Sequence, residues 1–552
     1  PLQLSGGTLG VKGRPEAFNS QRFKNNLTRG FTVSPGASAV RAIQNGASFL
    51  SIDLGRLAAA SRSVGSTVDF TLPTSGGIIL PGGGVGFDGT ILTANNVAFA
   101  TVDGTDWAAI DPFGSRALVA GSTIVGFNTP NDSTSLIGNA DMSGGVNTVL
   151  ASDTELTSLR FHGAGTRAID VNGHVLTTGG ILVTNFENVS STITGGTLSA
   201  VATGDAVANQ DLVIIQNNVA GPLTIGSQIV DNINGVTPAT ALTKSGVGTV
   251  ILTGANTYTG ETRINGGMVR LSGTGSLGNG KLFFQGGVLG LPGGTAFTRS
   301  LSTAAGDNTV QFVGSGGFAA YGGDVTITIG GVSSLSMGGT NGFVPTGSAF
   351  VLGASDSDGT VIVQNPVFLR SANQPQQREI RVENGTADVD ARLAGGFVGA
   401  NQDAGLTKTG AGTLEVAGAA GTYTGPTIIE DGTVRVGVQG AIPNTPLTVR
   451  SGTYDLNGFN MTASRIVLTL GGGATGTSSA ITTGTGTLTV GTNVVYQGNA
   501  ANDNGASISG NLSLGTGIRT FTVHDSTETA NDLAIAATIS GSGGLVKGGA
   551  AT

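Results

Sequence analysis

The side chains that could do acid–base or nucleophilic chemistry in this chain are few and scattered. Its three histidines are His162, His174 and His524, and none sits in a nucleophile motif. His162 and His174 stand about half a coil apart in a stacked array, a spacing that brings them to one site only by accident of folding. His524, Asp525 and Ser526 are consecutive, whereas a catalytic triad needs residues converging from separate segments. The strings GVGFDG at Gly84 and GTGSLG at Gly273 fit GxGxxG, but neither opens a helix within a βαβ unit, and a chain with 95 glycines produces such strings by chance. Two short acidic runs, Ser355 to Gly359 and Ala387 to Arg392, place carboxylates at alternate positions, as a calcium-dependent enzyme acting on acidic sugars would. The nonapeptide calcium repeat is absent, so solvated turns are expected there. Trp107, in TDWAAIDPF, is expected to pack on an end or a surface loop, since carbohydrate platforms usually present more aromatic surface. No catalytic, cofactor-binding or metal-binding residue is assigned, and the chain is expected to be no enzyme.

The elements that would have to position any site are organised by repetition. Leu242 to Arg270, LTKSGVGTVILTGANTYTGETRINGGMVR, recurs from Leu406 as LTKTGAGTLEVAGAAGTYTGPTIIEDGTVR and begins again at Leu545 as LVKGGAAT. Self-similarity of this kind marks a repeat architecture, in which each unit buries its apolar side by stacking on its neighbours. Lys244, Lys408 and Lys547 are three of only six lysines and fall at one place in the repeat, which points to a positional role such as an exposed turn.

Composition narrows the architecture. Glycine is abundant, but there is no every-third-residue period and proline stands at 16, which excludes collagen. With 38% hydrophobic and 11% charged residues, the chain has material for a core and little charge to resist collapse. A net charge of -8 supplies no basic stripe to neutralise phosphates, so nucleic acid is not an expected partner. The absence of cysteine removes disulfides, Cys-ligated zinc and thiol chemistry, and suits export as an unfolded chain. No apolar run of about 18 residues is present, so no transmembrane segment is expected.

Residues 1 to 11, PLQLSGGTLGV, read as strand, tight turn, strand. The pattern returns as KLFFQGGVLGL from Lys281 and as PLTVRSGTYDL from Pro446, so Pro1 is expected to begin in mid-repeat and the chain to be an internal piece. From Arg14 to Pro73 the pattern loosens and Arg22, Lys24, Arg29, Arg41, Arg56 and Arg62 make the most basic region. In it, Leu54 to Val64 is the one stretch where helix competes with strand. Farther on, REIRVENGTADVDARLAG before Leu406 is paralleled by IRTFTVHDSTETANDLAIAATISG before Leu545. The domain reading is therefore irregular solenoid coils over 1–241, one repeat unit over 242–405, a second over 406–544 and the start of a third over 545–552.

The phrases LTKxGxGT, NTYTG and GGxVRL resemble the autotransporter-associated β-strand repeat of bacterial passenger proteins, and TVDFTLP, GTDWA and DGTVIVQNP resemble long multi-repeat surface proteins of that type. The resemblance implies an all-β, right-handed parallel β-helix displayed outside the cell or on its surface. In such a fold Val269 and Leu271, and Val434 and Val436, face inward while Arg270 and Arg435 face out; Leu414 and Val416 likewise place Glu415 in solvent. Coils of about 20 to 25 residues, spaced about 4.8 Å apart, are expected to make a rod on the order of 110 to 130 Å long. The expected function is that of a stalk, fibre or adhesin segment of a larger surface or filament-forming protein. Its expected partners are itself, end to end or laterally, further repeats of the same longer chain, or a surface polysaccharide. The contrasting readings are a polysaccharide lyase or hydrolase on a β-helix and a carbohydrate-binding adhesin. No bound cofactor is expected.

Overall fold

Period-two alternation decides which side of each segment turns inward, and the fold is the repeated use of that one rule. The computed structural model describes residues 2–23, 31–57, 62–81, 90–113, 115–124, 136–144, 147–185, 189–201, 210–232, 239–369, 376–398, 404–463, 468–474, 476–498, 503–526 and 531–550. Among the described residues there is no α-helix, only short strands and single 3-10 turns at Gly121–Thr123 and Met142–Gly144. The stretch in which a helix was conceivable is irregular at 54–57 and pairs through Arg62 with Val33, while 58–61 lie outside the described residues. The chain forms two compact units, Pro1–Leu289 with Ala305–Asn308, and Gly290–Ala304 with Thr309–Thr552.

The first unit contains two stacks. In the N-terminal stack, strands Gly7–Lys12, Gly36–Ile43, Ser66–Thr71 and Ala100–Val102 pair in parallel in that order. Phe18–Arg22, Phe49–Asp53 and Gly76–Ile79 make a second parallel ladder beside it. Strands Asp106–Ile110 and Leu118–Ala120 then fold back antiparallel and end the first sheet. Phe31, Val33, Val40, Leu50, Ile52, Phe70, Ile78 and Phe99 fill the space between the ladders.

The second stack of this unit carries two long parallel ladders. One runs through Arg167–Asp170, Ser191–Thr194, Leu223–Ile225, Thr249–Leu252 and Met268–Leu271. Its inward row is Ile169, Ile193, Ile225 and Leu252, each fully buried and paired directly with the next. Burying such a side chain is worth about 1.5–3 kcal/mol, so each added coil contributes to a continuous core. The other ladder runs through Thr154–Phe161, Ile181–Val183, Gln210–Gln216, Thr240–Ser245, Thr262–Ile264 and Leu282–Phe284.

The second unit repeats the plan. Ile327, Val363, Leu393, Val416 and Val436 form a buried inward row in adjacent parallel strands. On the outer side of the same strands, Arg392, Glu415, Arg435 and Asp455 alternate in sign along the ladder. Arg392 meets Glu415 at 2.7 Å, and Arg435 meets Asp455 at 3.1 Å and Asp388 at 2.7 Å. Glu415 thus faces outward as expected, but not freely into solvent: the ladder leaves its side chain only 12% exposed. Likewise Val269, Val434 and Val436 are buried, whereas Leu271, expected inside, is only half-buried.

Coil size departs from the expected 20 to 25 residues. Lys244 pairs with Ile264 and Lys408 with Ile429, within that range, but Ile181 pairs with Ile214 and Phe318 with Leu352, coils of more than 30 residues. Strand spacing constrains the rise of a coil and leaves the length of its corners free, so insertions there do not disturb the ladders. The segments read as strand, turn, strand are corners of this kind. Leu447–Val449 and Gly452–Asp455, for instance, belong to different sheets.

Candidate functional site

The recurring lysine is the first candidate, and its position overturns the expected exposed turn. In Thr240–Ser245, Leu242 and Lys244 are two residues apart and point to the same side, into the core. Lys244 is 0% exposed and stands between Ile214 and Ile264 of the coils on either side. Its aliphatic stem packs there, while its ammonium reaches the corner and donates to the carbonyls of Ser245 at 2.9 Å, Gly246 at 2.9 Å and Gly266 at 3.0 Å. All three ammonium donors are used, and they join corners of two successive coils. Lys408, also 0% exposed, donates to Gly410 at 2.5 Å and to Asp431 at 2.9 Å. Lys547 makes the equivalent bond to Gly549 at 3.0 Å but is exposed. The positional role is real and lies inside the coil.

The glycine two residues after each lysine follows from the same geometry. Gly246, Gly410 and Gly549 have φ of +80°, +74° and +83°, the left-handed region in which a Cβ is costly. A Cβ added to them would also stand 2.4, 2.4 and 2.0 Å from the carbonyl oxygens of Gln216, Val382 and Val523, one coil earlier. The left-handed turn aims the glycine carbonyl at the ammonium. Burial pulls the Lys244 pKa from its ordinary 10.5 down to about 7, and that of Lys408 to about 8, where nearby Asp431 and Asp390 oppose the fall.

The YTGxT phrase of the repeat has a similar use. Tyr258 and Tyr423 are buried, and their hydroxyls bond to Thr262 Oγ1 at 2.7 Å and Thr427 Oγ1 at 2.6 Å. Each threonine opens the strand of the next coil, so the tyrosine ties a corner to its successor. Burial raises the Tyr423 pKa, and its bonds to Thr427 and Thr445 only partly offset that rise.

The scattered candidates do not converge. His162 Nδ1 contacts Thr184 Oγ1 at 3.1 Å, and burial together with nearby Arg160 lowers its pKa. His174 instead lies 3.6 Å from Asp153. His524 and Asp525 are exposed, whereas Ser526 is buried and donates to Asp532 Oδ1 at 2.8 Å. The alternate acids lie mostly in solvated turns, as expected: Asp356, Asp358 and Asp388 are exposed, and only Asp390 is buried. Asp356 accepts from Tyr321 at 2.6 Å, Asp358 from the Gly322 amide at 2.6 Å, and buried Asp390 from the amides of Gly385 and Thr413 at 2.7 and 2.8 Å. Among the described residues no group of three or more His, Cys, Asp and Glu could hold a metal ion. Gly273 sits in a turn after Met268–Leu271, and the string at Gly84 lies outside the described residues.

Trp107 lies at an end, as expected, but on a strand and not on a surface loop. It is fully buried among Val97, Ala98, Leu182, Val201 and Val213, where the antiparallel end of the N-terminal stack packs on the second stack. Sequence reasoning also missed the ion pairs at this junction. Arg160 lies 2.7 Å from Asp106 and 2.6 Å from Asp141, and Arg62 lies 2.5 Å from Asp211, all with nearly buried side chains. Arg62 and Asp211 are far apart in sequence, and nothing local to either residue signals the other.

The same flank bears a cleft of about 410 Å³, lined by the strands around Ala39, Asp69 and Thr101 and by Asn217, Ser245 and Gly246.

Residues 242–271 and 406–436 match the passenger-associated-transport-repeat, so the two segments stapled by Lys244 and Lys408 are copies of that repeat. Over 484 residues the chain is 26% identical to the adhesin BmaC autotransporter of Brucella suis biovar 1 (strain 1330). The similarity is that of distant homology, and it covers 78% of this chain but 13% of that protein. No solved structure matches the chain.

Proposed function

We propose that this chain is a non-enzymatic segment of an autotransporter passenger, a β-solenoid scaffold displayed at the bacterial surface as part of an adhesin. The observation that carries the reading is the use made of the repeat. Its recurring lysine, left-handed glycine and tyrosine all go into joining one coil to the next, through Lys244 and Gly266, Lys408 and Asp431, and the two Tyr–Thr bonds. A repeat conserved for catalysis would instead bring polar side chains together at an accessible surface. The matches to the transport repeat and to an adhesin support the surface location.

The stapled coils also fit a chain that folds after crossing a membrane. Each coil is completed by contacts with its neighbour, so order spreads by nearest-neighbour addition as in other solenoids. Protease treatment of intact cells that make the native protein tests the location. An antibody against this chain should lose its epitope on whole cells, while a cytoplasmic marker survives. Retention of the epitope until lysis would overturn the reading.

A further inference from the structure

Small outward side chains on the N-terminal stack leave a trough that the architecture does not need. Along Gly36–Ile43 the outward positions are Ala37, Ala39, Arg41 and Ile43, while Val40 and Ala42 are buried. Thr8, Ala39, Asp69 and Thr101 stand in one row across four parallel strands. The wall opposite comes from the second stack of the same unit, through Asn217 and the corner from Ser245 to Val247. That corner is the one Lys244 holds. The volume of this open cleft, about 410 Å³, is in the range of small-molecule sites, which run from about 300 to 1,000 Å³.

The polar groups here are arranged in two layers. Asp69 is fully engaged. Its Oδ1 accepts from the Thr101 hydroxyl and the Gly104 amide, both at 2.7 Å, and its Oδ2 accepts from Arg41 Nη1 at 2.5 Å. Arg41 Nη1 also donates to Thr71 Oγ1 at 2.9 Å. Asp69 is therefore a positioning residue that sets the plane of the guanidinium. The remaining Arg41 donors have no partner among the described residues, and neither do the exposed carboxylate of Asp103 and the exposed amide of Asn185. The cleft thus offers a donor-only group, an acceptor-only group and an amide that does both, with exposed Val247 as an apolar contact.

We propose that this cleft binds a neutral pyranose, as at the end of a glycan chain. Each sugar hydroxyl donates and accepts, matching Arg41 and Asp103 together, and Val247 with the glycine backbone stands in for the aromatic face of a larger carbohydrate platform, a small apolar contact that suits the end of a chain and not a long stretch of it. Asp69 and Asp103 outweigh the single charge of Arg41, so the cleft has no cationic surplus for a phosphate or carboxylate. The inference deepens the surface-segment reading and rests on it for the source of the glycan, while the binding itself belongs to the chain.

The test is saturation-transfer NMR and calorimetry on the whole chain with the methyl glycosides of glucose, galactose, mannose and N-acetylglucosamine. At least one should bind, and Arg41→Lys, Asp103→Asn and Asn185→Ala should each weaken it about 10-fold, a loss on the scale of one hydrogen bond to a charged group. The three substitutions lie outside the core, and unchanged thermal unfolding of each variant confirms an intact fold. Asparagine is chosen at position 103 because that residue has a φ of +52°, which asparagine tolerates. Absence of binding by all four glycosides would overturn the proposal, as would binding that none of the substitutions affects, or binding of inorganic phosphate in their place. Such a result would leave the scaffold reading intact, since surface protease access tests that separately.

Discussion

Replacing Lys244 by methionine separates the two things the buried lysine does. Methionine keeps an unbranched stem between Ile214 and Ile264 but cannot donate to Ser245, Gly246 and Gly266. A buried carbonyl left without a partner costs about 1–3 kcal/mol, and corner water offsets part of this, so the lost bonds should cost about 2–4 kcal/mol. Against that stands the cost of burying the charge. The folded-state pKa is about 7, and the ordinary value is 10.5. Between those values the unfolded chain binds more protons than the folded one, so stability rises with pH across that window. At about 1.4 kcal/mol per pH unit, the full rise is on the order of 5 kcal/mol. Lys244→Met removes it. The variant should therefore be clearly less stable than the parent near pH 10, where the folded parent holds a neutral amine that still donates two of these bonds, and the difference should shrink or reverse toward pH 7. Urea unfolding followed by circular dichroism at both pH values, with amide exchange at Gly246 and Gly266 as the local readout, measures this. An effect of the same size at both pH values would refute the reasoning, because it would mean that the ammonium is buried at no net cost.

Three further outcomes follow from the same geometry. Tyr423→Phe removes the hydroxyl bonded to Thr427 and should lower stability by about 1 kcal/mol in urea, with little change in secondary structure. Gly246→Ala should cost well over the roughly 1–2 kcal/mol of a left-handed alanine, because its Cβ would lie 2.4 Å from Gln216 O. Gly294→Ala, with a φ of +78° and nothing within 4 Å, should show that backbone cost alone, so equal losses at the two sites would count against the proposed close approach. Arg160→Met strands the buried carboxylates of Asp106 and Asp141 and should cost about 3–5 kcal/mol, partly recovered by adding Asp106→Asn and Asp141→Asn. Thermal unfolding of the single and triple variants checks it, and a single variant as stable as the parent would remove the ion pairs from the account of the junction.

The legible part of this protein was whatever depends on near neighbours in the chain. Alternation identified the inward rows around Val416 and Val436, because a strand turns every second side chain to the same face. Repetition of LTK and YTG identified the coil that recurs, because stacking needs only one kind of contact with the next turn. Even the place of Lys244 in the repeat was visible. Its environment was not: a lysine ordinarily lies outside, and it takes the carbonyls of Ser245, of Gly246 and of Gly266, a coil later, to make a buried ammonium tolerable.

What the tertiary structure alone decided lies where distant segments meet. Trp107 is buried because Gly180 leaves room for its ring, and Arg62 is buried because Asp211 awaits it 149 residues away. The cleft owes its floor to small residues near Ala39 and its wall to the corner after Lys244. The local pattern sets which face of a strand turns inward. Which two stacks come to lie side by side depends on shape and charge that no window of sequence contains.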